Sequence, residues 1–474
     1  MSASSNEPAA GHEPVTSARP GPVTVIDGCA VVTMDAARTE HAAGHVVVAG
    51  NRILAAGGGP APACPGATVV DGRGCLATPG LVNTHHHLYQ WLTRGLAADA
   101  PLFGWLTALY PVWAGIGTDS LHTGAQAALA HLARSGCSTT SDHLYLFPRG
   151  AGDLLAAEID AARRVGLRFH PARGSMDLGH SSGGLPPDEV VEDKDTVLAA
   201  TEEAIGRWHD PAPDSMLRIS VGPCSPFSAS GELMRESAEL ARSRGVRLHT
   251  HLAETADEDA YCQEHFGASP LGYAESLGWT GPDVWLAHAV HFDGAAVQRL
   301  AASGTGVAHC PTSNARLGSG IAAAADMRAA GVPAGLGVDG AASNESCSVL
   351  EEARHALLFA RARGGPEALT VRDALEMATL GGAKVLGREF EIGSLMPGKL
   401  ADVALWRLDT AAHAGITDPV AALILGPPPP LELLLVNGVT VVRRGAVLTV
   451  DEDGLAAGVA AAHRALLDRA GDLP

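Results

Sequence analysis

"PGLVNTHHHLYQ", residues 79–90, is a short apolar run that breaks into a polar cluster with three consecutive histidines. Residues two apart on a strand project to one side, so His85 and His87 point together while His86 faces away. Two imidazoles on one side can grip a cation. An HxH pair is also an ordinary polar feature, and alone it leaves both readings open.

The pattern of an apolar strand ending in a polar cluster recurs along the chain. It appears in "STTSDHLYLF" (138–147), "LRFHPARGSM" (167–176), "LRISVGPCSPFS" (217–228) and "VRLHTHLAET" (246–255). Three more copies are "VWLAHAVHF" (284–292), "TGVAHCPTSN" (305–314) and "VPAGLGVDGAASN" (332–344). Helical stretches such as "GELMRESAELARSRG" (231–245) lie between them. Eight strand-helix units indicate an α/β fold, a (β/α)8 barrel over residues 79–389, with the carboxyl ends of the strands lining one mouth. A doubly wound open sheet is the rival, but polar clusters at nearly every strand end fit a closed barrel better.

Either side of the barrel the pattern changes. Residues 21–78 alternate β-branched runs with Gly-rich turns, as in "VTVIDGCAVVTMD" (23–35), and residues 390–455 do so again, as in "LELLLVNGVTVVRRGAVLTVD" (431–451). The two segments are expected to pair into one small β-sandwich. Residues 1–20 read as a disordered tail and 456–474 as a C-terminal helix.

Composition limits the partners. The 33 Lys and Arg face 52 Asp and Glu, a net charge of −19, which disfavours nucleic acid and anionic lipid and suits a small-molecule substrate. Eight cysteines without a CxxC pair fit free thiols in a reducing cytoplasm. No apolar run is long enough to span a membrane.

The strand ends carry the chemistry. His249, His251 and Glu254 follow the fifth strand segment, His288 the sixth and Asp339 the eighth. Imidazole and carboxylate are the ligands of zinc and iron(II), and a catalytic site leaves one position open for water.

These residues, with "PGLVNTHHH" and the HxxE spacing of His251 and Glu254, resemble the amidohydrolase superfamily. The likeness is to its mononuclear aminohydrolase branch of cytosine, guanine and S-adenosylhomocysteine deaminases and s-triazine hydrolases, and it covers residues 22–455. The resemblance implies that His85, His87, His251 and Asp339 bind one divalent metal ion, most often zinc or iron. No lysine ends the fourth strand segment, where the two-metal branch places a bridging one. The resemblance further implies that Asp339 takes the proton of the attacking water, that Glu254 carries a proton to the ring, and that His288 orients the water.

Stretches 85–95, 141–148 and 168–195 are similar to the 8-oxoguanine deaminase group. This implies hydrolysis of 8-oxoguanine to uric acid and ammonia; an s-triazine aminohydrolase and a guanine deaminase are the alternatives. Glu254 and Asp339 are both present, which favours an amine as leaving group. A metal-free scaffold is the non-enzymatic reading, and the intact ligand set argues against it. A cytidine-deaminase zinc site would need a PCxxC signature that the chain lacks. Barrel enzymes of this kind are often homo-oligomers.

For substrate contacts, Gln90 lies three residues past the histidine pair and can read a ring amide. Arg173, ending the third strand segment, offers a planar donor fork, with a salt bridge to Asp177 as its structural alternative. Cys224 ends the fourth, with packing as the alternative. His249 is expected to lie deeper, as a structural residue, and His86 on the wrong face.

Overall fold

A computed structural model describes residues 22–471. Its centre is a closed barrel of parallel strands: β1 (Leu81–Asn83), β2 (Cys137–Leu144), β3 (Arg168–Ser175), β4 (Ser220–Pro223), β5 (Arg247–Leu252), β6 (Val284–His288), β7 (Gly306–His309) and β8 (Ala334–Leu336). Each expected segment contributes one strand. Pairing of Leu336 with Asn83 closes the ring.

Parallel neighbours need a crossover, and here helices supply it on the outside. The helix Gly231–Arg244 shows why. Ser230 caps it by accepting from the Leu233 amide, Gly245 ends it at φ +67, and Leu233, Met234, Ser237, Ala238 and Ala241 form one buried stripe. The solvent side keeps the Glu and Arg residues.

The flanking segments form one nine-stranded mixed sheet. Its seam is the antiparallel pairing of Cys75–Pro79 with Val403–Arg407, which joins the N- and C-terminal segments. The sheet curls on itself. The 437–438 turn meets the 50–51 turn so closely that a Cβ on Gly438 would lie 1.9 Å from the Gly50 carbonyl oxygen. Inside the curl, Ile26, Val46, Val48, Ile53, Val403, Leu405, Leu433 and Leu435 build a second apolar core.

A buried ion pair ties this sheet to the foot of the barrel. Arg168 at the start of β3 donates to both carboxylate oxygens of Asp402, at 3.1 and 3.3 Å. The C-terminal helix runs from Glu452 to Ala470, four residues earlier than expected at its start, and its His463 hydrogen-bonds the Leu92 carbonyl at 2.7 Å. The tail expected at 1–20 lies outside the described residues. Among the described residues, no helix is long and apolar enough to cross a membrane.

Candidate functional site

Beyond the barrel rim, Asp339–Gly340 pairs in parallel with His86–His87. This extension of the β8–β1 seam sets Asp339 against the histidines after β1, and β5 delivers His251 from across the mouth. The Nε2 atoms of His85 and His87 each lie 3.2 Å from Asp339 Oδ1. His87 Nε2 is 3.1 Å from His251 Nε2.

The other ring nitrogens explain why these atoms face inward. His87 Nδ1 lies 2.8 Å from the His143 carbonyl and His251 Nδ1 lies 2.7 Å from that of Cys224. A carbonyl only accepts, so in a neutral imidazole the proton sits on Nδ1 and Nε2 keeps its lone pair. His85 reaches the same state through His249, whose own Nδ1 donates to the Trp285 carbonyl at 3.0 Å and whose Nε2 accepts from His85 Nδ1 at 2.7 Å. Burial holds His85, His249 and His251 neutral by lowering their pKa values. Buried His85 Nε2 has no hydrogen-bond partner in the protein.

Three converging lone pairs and a carboxylate repel one another unless a cation lies between them. Residues His85, His87, His251 and Asp339 therefore fit a divalent metal ion, and an N3O set suits zinc or iron(II). Burial alone would raise the Asp339 pKa, but the surrounding imidazoles of His85, His87 and His288 hold it well below the usual carboxylate range. Its other oxygen, Oδ2, accepts from the Ser313 hydroxyl and from that of Ser343 at 3.1 Å.

Beside this group stand Glu254 and His288, with 3.6 Å between Glu254 Oε2 and His288 Nε2. His288 Nδ1 donates to Asn314 Oδ1 at 2.9 Å, leaving an acceptor lone pair on Nε2. Burial, then the charge of Asp339, pushes the Glu254 carboxyl up to about 8, so near neutrality it carries a proton. Ala253, His288 and Asp339 all have left-handed backbones, at φ +54, +73 and +61. Strain of this kind gathers at functional sites, because the surrounding structure must hold it.

Glu254, His288 and Asp339 open into a cavity whose wall includes Gln90, Tyr145, Cys224 and Phe227. The helix Leu102–Trp113 roofs it with Trp105, Leu106 and Tyr110. Trp105 Nε1 donates to the Ala342 carbonyl at 3.2 Å, which pins the roof to the loop beyond Asp339. Gln90 packs against Gly340, where any Cβ would lie 1.8 Å from Gln90 Oε1, and that oxygen has no partner.

Arg173 is not at this cavity. A Cβ on Gly222 would touch both His143 and Ala172, so Ala172 shares the side of β3 that faces the histidine cluster. Its neighbour Arg173 therefore points outward, by strand alternation. There it pairs with Glu192 at 2.9 Å, lies 3.8 Å over the Phe147 ring, and lines a separate outer cleft. Asp177 is not its partner either; that carboxylate accepts from the amide and hydroxyl of Ser230.

His249, Asn314, Ser313, Ser343 and the roof helix are the parts for which the sequence reading assigned no active-site task. His143 joins them: its Nε2 donates to the Gly222 carbonyl at 2.7 Å, Nδ1 has no partner, and a ring nitrogen lies within 4.8 Å of donor atoms of His85 and His251. Its signal was a further histidine at a strand end, in "SDHL" (141–144). His86 turns its Nδ1 to the His87 amide, 2.7 Å away.

Comparison with known proteins agrees with this geometry. The Amidohydrolase family pattern matches residues 76–442. The 8-oxoguanine deaminase of Pseudomonas aeruginosa is 46% identical over 429 residues, 90% of this chain and 95% of that protein. Hydroxydechloroatrazine ethylaminohydrolase of Pseudomonas sp. (strain ADP) is 40% identical over 401 residues, 82% of this chain and 83% of that protein. The crystal structure of atrazine chlorohydrolase from Arthrobacter aurescens TC1, complexed with zinc, superposes with a TM-score of 0.89 at 33% identity over 93% of this chain and 100% of that one. A pattern that spans the barrel and half of the outer sheet, and relatives that align over nearly their full length, place this chain among the enzymes of the amidohydrolase family.

Proposed function

We propose that the enzyme is a metal-dependent hydrolytic deaminase of an aminated nitrogen heterocycle, with 8-oxoguanine, hydrolysed at C2 to uric acid and ammonia, as its preferred substrate. The carrying observation is the 46% identity to an 8-oxoguanine deaminase over 90% of this chain. The cavity supports it: its wall holds flat aromatic and apolar side chains and, among the described residues lining it, neither Lys nor Arg. A neutral planar base suits such a space better than an anion.

His85, His87, His251 and Asp339 would hold one divalent cation, zinc by the donor set, with iron(II) accepted by the same atoms. When bound, the cation supplies Lewis acidity that makes water nucleophilic near neutral pH. Asp339, ionised in the folded protein, takes a proton from the attacking water. His288 offers Nε2 as an acceptor that orients that water. Glu254, protonated, donates to the ring nitrogen beside the attacked carbon. Asp339 then hands the proton it took from water to the amine, since NH3 leaves far more readily than amide ion, and the new hydroxyl returns a proton to Glu254 as the C–N bond breaks. The balance is one water consumed, one C–O bond formed and one C–N bond broken.

Gln90 has a donor and an unpartnered acceptor, and Cys224 has a thiol whose pKa burial raises to about 12, so it stays a neutral donor. A site with such groups penalises analogues that leave them unpaired. The 40% identity to a hydroxytriazine aminohydrolase supports the second reading, in which the ring is a triazine. Ammonia release across 8-oxoguanine, guanine, isoxanthopterin and hydroxylated aminotriazines separates them. The expected result is the highest kcat/KM for 8-oxoguanine; guanine or a triazine turned over at least as well would overturn the substrate and keep the deaminase class.

A further inference from the structure

The turn that carries Glu254 leaves β5 through Ala253, whose φ of +54 is a conformation L side chains seldom adopt. Glu258, in the following helix Ala256–Phe266, reaches back to this turn. Its Oε1 accepts from the Ala253 amide at 2.8 Å and its Oε2 from the Glu254 amide at 2.9 Å. The carboxyl is buried, at 1% exposure.

Helix capping alone does not call for this arrangement. Thr255 is the N-cap and its hydroxyl accepts from the Glu258 amide at 3.3 Å, as the first half of a capping box requires. In a capping box the glutamate would return to the amide of Thr255. Glu258 instead passes over it and holds the two preceding amides. Burial also pushes its carboxyl up to about 7, so the position is an unfavourable one for a residue that merely begins a helix.

The far side of the same turn is tied to the sixth strand. The Ala253 carbonyl accepts from the amides of Val290 and His291, at 2.9 and 3.0 Å, just past His288. Ala253 is thus held between Glu258 and the segment that carries His288, and the Glu254 to His288 spacing depends on where that turn sits.

We infer that Glu258 is a positioning residue for Glu254: by clamping two backbone amides it sets where the proton-carrying carboxyl meets the substrate. The inference rests on the reading of Glu254 as that carrier. In Glu258→Gln the amide keeps one acceptor oxygen, but its NH2 confronts the second backbone N–H.

The test is a double-mutant cycle of E258Q with E254Q in the metal-loaded enzyme, with kcat, KM, metal content and melting temperature measured for each protein. The expected result is that E258Q lowers kcat about tenfold to a hundredfold, as misplacement by an ångström does, while KM and metal content stay within about twofold. In the E254Q background the same substitution should change kcat by less than about threefold, since the group it positions is already disabled. A helix-stabilising role alone would give the same loss in both backgrounds, and that outcome overturns the inference, as does an E258Q enzyme within threefold of the parent or one that has lost its metal. An E254Q enzyme as active as the parent would overturn the reading of Glu254 itself, and the clamp with it. Should E258Q not fold, the cycle is run on A253G/E258Q, because glycine takes a φ of +54 without the clamp.

Discussion

His249 Nε2 lies 2.7 Å from His85 Nδ1, and the same imidazole donates from Nδ1 to the Trp285 carbonyl. His249 therefore decides which nitrogen of His85 bears the proton and keeps the lone pair of His85 Nε2 aimed at Asp339. Groups that orient a metal-binding histidine in this way contribute strongly to affinity. His249→Ala should weaken metal retention about tenfold to a hundredfold, read by competition with a chelator. An unchanged affinity would show that packing alone orients His85.

Glu254 is protonated below about pH 8, because burial and the charge of Asp339 raise its pKa. In the proposed mechanism its working form is the acid, so kcat should fall as pH rises through this value. A bound cation stabilises the carboxylate and moves the limb to lower pH without changing its direction. Glu254→Gln should retain metal, lose about two to four orders of magnitude in kcat and lose the limb. A pH profile that keeps the same alkaline limb in the variant would assign it to another group.

Arg173 pairs with Glu192 away from the cavity. Arg173→Ala should leave kcat/KM within about threefold of the parent, while breaking a mostly buried pair costs about 3 kcal/mol of folding stability. Denaturant melts and steady-state kinetics on one preparation check both halves. A large kinetic loss at unchanged stability would return Arg173 to the substrate.

The Arg168–Asp402 pair is 0% and 2% exposed and joins barrel to outer sheet. Removing one partner strands the other charge, so Arg168→Met should destabilise the fold by about 3–5 kcal/mol. The double variant R168M/D402L should recover much of that loss, because neither charge is then left alone. Equal stability of R168M and parent in urea would contradict the role assigned to the pair.

Much of the architecture was legible in the chain. The eight barrel segments could be read because side-chain periodicity is local, and a parallel barrel brings every strand end to one mouth whatever the loops do. The N- and C-terminal β-rich segments were readable for the same reason. Strand alternation alone puts His85 and His87, two apart, on one side, and spacing alone singles out His251 with Glu254.

Arg173 shows the limit of that reading. A polar residue at a strand end can face the mouth or the helices, and a shift of one residue decides between them; β3 puts Ala172 inward and Arg173 outward. Gln90 and Cys224, read from position alone, do line the cavity.

What the sequence by itself determined is the barrel, the outer β-rich segments and the residue types that gather at the mouth, since each follows from local pattern and chain direction. Only the tertiary structure decided the partners. His85 takes its tautomer from His249, 164 residues away, and Arg168 finds Asp402 across 234. Helix Leu102–Trp113 roofs a cavity whose other walls come from the ends of β5 and β6 and from the segments that follow β1, β2, β4, β5, β7 and β8. Hydrogen bonds and close packing depend on distances of a few ångströms between segments remote in the chain, and no periodicity within either segment records them.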